Sequence, residues 1–301
     1  MKNSELQREI RKELRGKRAV LLAHYYQRDE IQEIADFLGD SLALSIEAAK
    51  TDASVLVFAG VHFMAESASI LSPDKTVLLP RLEAGCPLAD MITPGQLEEA
   101  KAENPGVPVV TYVNSSAEIK AMSDICCTSA NAVRVVNSLE SEKVLMVPDG
   151  NLARYTARFT KKEVISWNGY CPVHHFLGAD EVRDVMNRHP GAKLAVHPEC
   201  RADVIDLADF VGSTAGITRY ARETDAEKLV IGTESGILYT LRKENPGKTF
   251  ILASDKLICE TMKTITLEDI LASIKEMKHV VRVPDAVAER ARGALSRMIK
   301  I

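Results

Sequence analysis

AVLLAHYY (residues 19–26), VPVVTYVN (107–114) and AKLAVHPE (192–199) are three copies of one segment, each a short β-rich run ending in polar residues. Three further segments recur in the same order behind it. They are ADFLGDS (35–41), SDICCTS (123–129) and ADFVGST (208–214); SVLVFAGVHFM (54–64), EKVLMVPDGNL (142–152) and EKLVIGTESGI (227–237); and TVLLPRLEAGC (76–86), VISWNGYC (164–171) and TFILASDKLIC (249–259). A helical pattern follows each terminal cysteine, and the first two copies close on Asn104-Pro-Gly and His189-Pro-Gly, which are turn signals. Within a copy the order reads strand, helix, strand, helix, strand, helix, the mark of an α/β unit with a parallel sheet covered by helices. A period of this length makes the repeat the first thing to explain. The expectation is three homologous α/β domains in pseudo-threefold arrangement around a central site: residues 1–104 with an N-terminal helix, 105–190, and 191–284. An extra helix, 285–301, is expected to pack back on the first domain.

Composition narrows the function. The chain has 301 residues, is 46% apolar, and carries a net charge of -4 with pI near 6.0. It shows no basic stripe and no basic-aromatic interleaving, which argues against a nucleic-acid partner. The N-terminus is charged, with Leu6, Ile10 and Leu14 on one helical stripe, and has neither the apolar core nor the cleavage site of a signal peptide. No apolar run approaches the roughly 20 residues that span a bilayer. The expected location is therefore the cytoplasm, where disulfides are rare, and six cysteines then call for a metal, a catalytic role or simple burial.

Repeat register sorts those cysteines. Cys126 aligns with Leu38 and Val211, and Cys127 with Gly39 and Gly212, so both fill structural slots. Cys200 aligns with Gln27 and Ser115 and is a bystander. Only Cys86, Cys171 and Cys259 close equivalent segments, 85 and 88 residues apart. No Cys-x-x-Cys pair exists, which excludes a zinc ribbon, a thioredoxin motif and the local cysteine run of bacterial ferredoxins. Three long-spaced thiolates can hold a [4Fe-4S] cluster by three irons, leaving one iron open, or a zinc ion with one open position. Spacing alone leaves that choice open.

Ligands of parallel α/β sheets bind beyond the carboxyl ends of the strands. Three matched polar sets fall there: His24, Tyr112 and His197; Tyr26, Asn114 and Glu199; and Ser41, Ser129 and Thr214, the last at the head of the first helix of each unit. Capping is the ordinary role of any one Ser or Thr. Three helix N-termini aimed at one axis would also suit a substrate with several carboxylates or a phosphate. His174, three residues after Cys171, belongs near any metal; His62, His175, His189 and His279 have weaker or no supporting pattern. Tyr26, near a cationic metal, could move protons, and Glu199 could accept or relay one.

Together, His24-Tyr-Tyr-Gln27, Gly39-Asp-Ser41, Tyr112-Val-Asn114, Cys171-Pro-Val-His174, His197-Pro-Glu-Cys200, Gly212-Ser-Thr214 and Cys259-Glu-Thr-Met-Lys263 resemble the quinolinate synthase family over residues 17–284. The resemblance implies three similar α/β domains around a cavity. It implies condensation of iminoaspartate with dihydroxyacetone phosphate to quinolinate, phosphate and two waters in de novo NAD biosynthesis. It implies a [4Fe-4S] cluster on Cys86, Cys171 and Cys259. Substrate carboxylates and phosphate would be held by His24, Ser41, Tyr112, Asn114, Ser129, His197 and Thr214. Tyr26 and Glu199 would act as acid and base, with His174 beside the cluster. An aspartate oxidase or aspartate dehydrogenase is the implied upstream source of iminoaspartate. Two departures stand out: Tyr25 replaces an Asn expected in many relatives, and Cys259 lacks the neighbouring cysteines that form a disulfide switch in some. The competing functions are an iron–sulfur hydro-lyase acting on a hydroxy acid, a non-enzymatic iron–sulfur sensor, and a metal-free binding protein.

Overall fold

The computed structural model describes residues 2–301. Three four-stranded, wholly parallel sheets share one strand order. The first holds β1 (Ala19–His24), β2 (Phe37–Gly39), β3 (Val55–Ala59) and β4 (Thr76–Leu78) in the order β2-β1-β3-β4. The second repeats it with β5 (Val109–Tyr112), β6 (Ile125–Cys127), β7 (Lys143–Val147) and β8 (Glu163–Ser166). The third does so with β9 (Lys193–Val196), β10 (Phe210–Val211), β11 (Lys228–Gly232) and β12 (Thr249–Leu252). Each unit thus has one strand more than the three alternations expected. The extra strand, β2, β6 or β10, is two or three residues long, too short to show a period.

One repeated carboxylate sets that strand. Asp36 Oδ2 accepts from Leu21 N at 2.8 Å, Asp124 Oδ2 from Val109 N at 2.7 Å, and Asp209 Oδ2 from Leu194 N at 2.8 Å. Every residue of β3 is buried, as a parallel strand covered on both faces requires.

The helix after each cysteine packs forward onto the next sheet. Leu97, in the helix Pro94–Glu103, lies against Val109, Leu145 and Val147 of the second sheet. Val182 and Val185, in the helix Ala179–Arg188, lie against Leu194, Val196 and Val230 of the third. The helix Leu267–Glu276 returns to the first sheet, where it meets the helix Asn3–Gly16. Sequence repeat and packed layer are therefore offset by one helix, and the offset interlocks the three units in a ring.

Polar side chains fasten that ring. Gln32 Nε2 donates to Gln27 O and across to Gly236 O of the third unit, at 2.8 and 2.9 Å. Lys120, its counterpart in the second unit and fully buried, donates to Ser115 O at 2.6 Å and reaches Phe63 O of the first. At the remaining joint Asn151 Nδ2 donates to Glu199 O at 3.0 Å. Gly236 is required where it stands: a Cβ there would lie 2.8 Å from the Tyr26 backbone.

The helix Asp285–Lys300 does not rest on the first unit alone. It lies against the helix Ala117–Ala121 and β6 as well as the helix His62–Leu71. Arg292 Nε donates to Ile70 O at 2.9 Å, and Arg297 Nε to Asp124 O at 2.6 Å. Its inner face is Ala288, Ala291, Ala294, Leu295 and Met298, mostly small side chains that let the helix sink between the two units. No described helix is long and apolar enough to cross a membrane.

Candidate active site

The strand ends of all three units face one cavity, and every candidate residue named from the sequence lines it. Cys86, Cys171 and Cys259 enter from the three units, partly buried, and all six cysteines of the chain are free. Cys171 and Cys259 are the N-cap residues of the short helices Pro172–His175 and Glu260–Lys263. Cys126, Cys127 and Cys200 are fully buried outside the cavity lining, and the Cys200 thiol points to Gly232 O.

A continuous hydrogen-bond chain crosses the site. Thr214 Oγ1 donates to Tyr26 Oη at 2.9 Å, and Tyr26 Oη lies 2.6 Å from Thr233 Oγ1. Thr233 Oγ1 lies 2.8 Å from His174 Nε2, and His174 Nδ1 lies 2.7 Å from Glu199 Oε2. Burial disfavours ionisation of Glu199, but His197 and His174 together outweigh it and hold the carboxyl well below its usual range. An ionised Glu199 only accepts, so His174 Nδ1 donates to it, and in a neutral imidazole Nε2 is then the acceptor. Thr233 must then donate to His174 and accept from Tyr26. The chain has one polarity, from Thr214 to Glu199, and it matches the hydroxyl–imidazole–carboxylate logic of hydrolase triads.

His197 completes the network, with Nδ1 3.2 Å from Glu199 Oε2 and Nε2 3.2 Å from Ser129 Oγ. Its ring stacks on that of His174 at 4.6 Å. Burial, reinforced by His197 and Lys263, lowers His24 to about 3, so its imidazole is neutral near pH 7. Its Nδ1 accepts from Tyr26 N at 3.2 Å, and the two rings meet edge to face. Tyr26 and Tyr112 are both pushed well above the usual phenol range, by burial first and by the Glu199 charge second.

The hydroxyls at the helix heads are not the caps. Asp40 caps the helix Ser41–Lys50 by accepting from Ala43 N, and Ser213 caps Thr214–Glu223 by accepting from Gly216 N. That leaves Ser41 and Thr214 for the cavity. Ser129 lies three residues ahead of its helix, Ala132–Ser138, and reaches His197 instead. Three cavity-lining side chains, Asp40, Asn114 and Glu199, each keep one buried oxygen without a protein partner. Such atoms are costly unless something polar meets them.

Thr233 and Asp40 escape a reading of the sequence. Thr233 stands where the other units have Gly60 and Pro148, so a search for common positions passes over it. Elsewhere His175 stacks on Tyr170, and His279 Nδ1 meets Pro80 O; neither lines the cavity.

The donor set fits a cationic group. Burial pushes Cys86 up to about 12 and Cys171 well above its usual value, and the neighbouring cysteines and Glu199 push both the same way. Clustered thiolates of this kind need a cation to form. Ligand atoms of Cys171, His174 and Glu199 also lie within 4.8 Å of one another, close enough to share a metal ion.

A three-sheet α/β protein with a thiol, imidazole and carboxylate site between its units is the class this geometry defines. The sequence profile of the quinolinate synthetase A protein (NadA) family matches residues 8–300. The chain is 60% identical to a quinolinate synthase of Geotalea uraniireducens and 58% identical to one of Geobacter metallireducens, each over 100% of this chain and 99% of the relative. It is 53% identical to quinolinate synthase 1 of Methanosarcina acetivorans over the same shares. The chain belongs to the quinolinate synthetase A family.

Proposed function

We propose that this chain condenses iminoaspartate with dihydroxyacetone phosphate, giving quinolinate, phosphate and two waters in de novo NAD biosynthesis. It would be a transferase that forms a carbon–carbon bond and then drives cyclisation and dehydration. The observation that supports this best is the convergence of three free thiols and ten polar side chains from all three units on one cavity.

Cys86, Cys171 and Cys259 would hold a [4Fe-4S] cluster by three irons. When bound, the cluster supplies one iron without a thiol, a Lewis acid for a substrate oxygen or nitrogen. Ser41, Ser129, Thr214, Tyr112, Asn114 and the neutral imidazoles of His24 and His197 would hold the carboxylates and the phosphate. Holding both substrates together supplies the proximity the condensation needs. A cavity set between three units would also limit access of water, to which an imine is vulnerable.

The hydrogen-bond polarity supports a proton-transfer role for Tyr26. When Tyr26 Oη takes a proton from substrate, its own proton moves to Thr233 Oγ1, and the Thr233 proton to His174 Nε2. The resulting imidazolium is stabilised by Glu199 Oε2 at 2.7 Å. Return of the protons along the same path protonates a departing hydroxide. The unpartnered Glu199 Oε1 is available to a substrate N–H or O–H.

The protein would act in the cytoplasm, supplied by an enzyme that oxidises aspartate. The test is anaerobic reconstitution with iron and sulfide, followed by assay of quinolinate and phosphate from the two substrates. Equal yields of both products are expected. Loss of water from a hydroxy acid, without a phosphorylated co-substrate, would refute the assignment.

A further inference from the structure

The three cysteine arms are built alike up to one point. In each unit the residue after the third strand's exit turn donates its N–H to the carbonyl two residues before the cysteine. His62 N donates to Ala84 O at 2.7 Å, Gly150 N to Gly169 O at 2.8 Å, and Ser235 N to Leu257 O at 2.8 Å. The preceding residue breaks the symmetry: it is Val61 in the first unit, Asp149 in the second and Glu234 in the third.

Both carboxylates are buried, and each grips its own cysteine by the backbone. Asp149 Oδ2 accepts from Cys171 N at 3.2 Å, while Oδ1 caps the helix Gly150–Ala157 through Leu152 N at 2.7 Å. Glu234 Oε1 accepts from Cys259 N at 3.2 Å, while Oε2 accepts from Gly236 N at 2.7 Å. Lys263, just beyond Cys259, lies 3.2 Å from Glu234 and donates to Tyr26 O at 2.6 Å, which ties this arm to the first unit.

We infer that Asp149 and Glu234 are positioning residues that preset the Cys171 and Cys259 arms for the metal group, whereas the Cys86 arm, with Val61 in the matching position, has no such side-chain acceptor among the described residues. This rests on the thiol-bound cluster of the proposed function. Neither residue need touch the cluster: each acts by fixing the backbone from which a thiol projects. A carboxylate serves because it can accept two N–H bonds that diverge, one to the scaffold and one to the arm.

The two-bond geometry supplies the test. In Asp149→Asn the amide keeps one oxygen for the shorter scaffold bond and turns its NH2 toward the cysteine N–H; Glu234→Gln does the same and also gives up the ion pair with Lys263, so Asp149→Asn is the cleaner variant. The fold is retained and the arm released. Asp209→Asn makes the same change at a strand bond outside the cavity lining and controls for general loosening. Each reconstituted protein is exposed anaerobically to a ferrous chelator, and cluster absorbance is followed with time, beside melting curves and the electron paramagnetic resonance of the reduced form. Asp149→Asn and Glu234→Gln should lose iron about tenfold faster than wild type, the scale of one hydrogen bond. Their resonance line shape should change, and Asp209→Asn should match wild type in both. Variants that keep wild-type iron loss and line shape would overturn this inference alone, as would equal acceleration in Asp209→Asn. A wild-type protein that takes up no iron would overturn the cluster reading and this inference together.

Discussion

Thr233→Val isolates the proton chain from everything else in the cavity. Valine matches the shape of threonine but has no hydroxyl, so Tyr26 Oη loses its 2.6 Å partner and His174 Nε2 its 2.8 Å partner. Tyr26 keeps the bond from Thr214. His174, fully enclosed, is left with an unmet acceptor, which costs about 1–3 kcal/mol. Natural domains have roughly 5–15 kcal/mol in hand, so the variant should fold and melt a few degrees lower. Its chemistry should suffer far more. Positioned proton transfer contributes about 10²–10⁴-fold, and without Thr233 the imidazole cannot reach Tyr26. The expected result is a kcat lower by about that factor with KM little changed, because the groups proposed to hold the anions remain. Thr233→Ser should recover most of the rate. The assay is quinolinate formation under anaerobic conditions by proteins matched for iron content. A Thr233→Val enzyme working within about threefold of wild type would show that protons travel another way.

Glu199→Gln should be at least as damaging, since its amide can donate to His174 Nδ1 and fix the opposite tautomer; by analogy with the same change in a serine protease, kcat should fall about 10⁴-fold, and a rate held within tenfold would reject the assigned polarity. For acid stability, His24 binds a proton near pH 6.5 when unfolded but only near 3 when folded, so stability is full above 6.5 and is lost as pH falls toward 3, by about 1.4 kcal/mol per pH unit. Melting of the metal-free protein should therefore fall steeply over that window, and His24→Gln should flatten the curve; an unchanged slope would remove His24 as the cause. Gly236→Ala forces a Cβ to within 2.8 Å of the Tyr26 backbone and should lose about 1–3 kcal/mol in denaturant titration, whereas Gly95→Ala, with nothing within 4 Å of its Cβ on an exposed helix, should be neutral or stabilising; equal effects would reject the close approach as the reason for glycine.

How far the sequence can be read follows from what a repeat preserves. Strand ends are fixed by the parallel sheet, so His24, Tyr112 and His197 share a register that needs no coordinates. The cysteines share one too, because each closes the segment after its fourth strand. Packing is harder to foresee. The helix after each cysteine belongs to one unit in sequence and to the next in space. That partnership is set by apolar contacts such as Leu97 on Leu145 and Val147, across a chain separation that periodicity does not report. The final helix defies placement from sequence for the same reason. Its stripe of alanines fits a groove between two units as readily as a face of one.

The residues that sequence register passes over share a different cause. Thr233, Asp149 and Glu234 all lie just past a third strand, in slots where the three units differ. Register finds what the copies have in common, which is a way to bring three thiols and nine polar side chains to one axis. A reaction has a direction, however, and a symmetric site cannot point a proton. The hydroxyl of Thr233 exists in one unit only, and with it the chain from Tyr26 to Glu199 gains an order. The carboxylates of Asp149 and Glu234 exist in two, and with them two arms are held more firmly than the third. Symmetry assembles this cavity; its departures from symmetry are where the chemistry is to be sought.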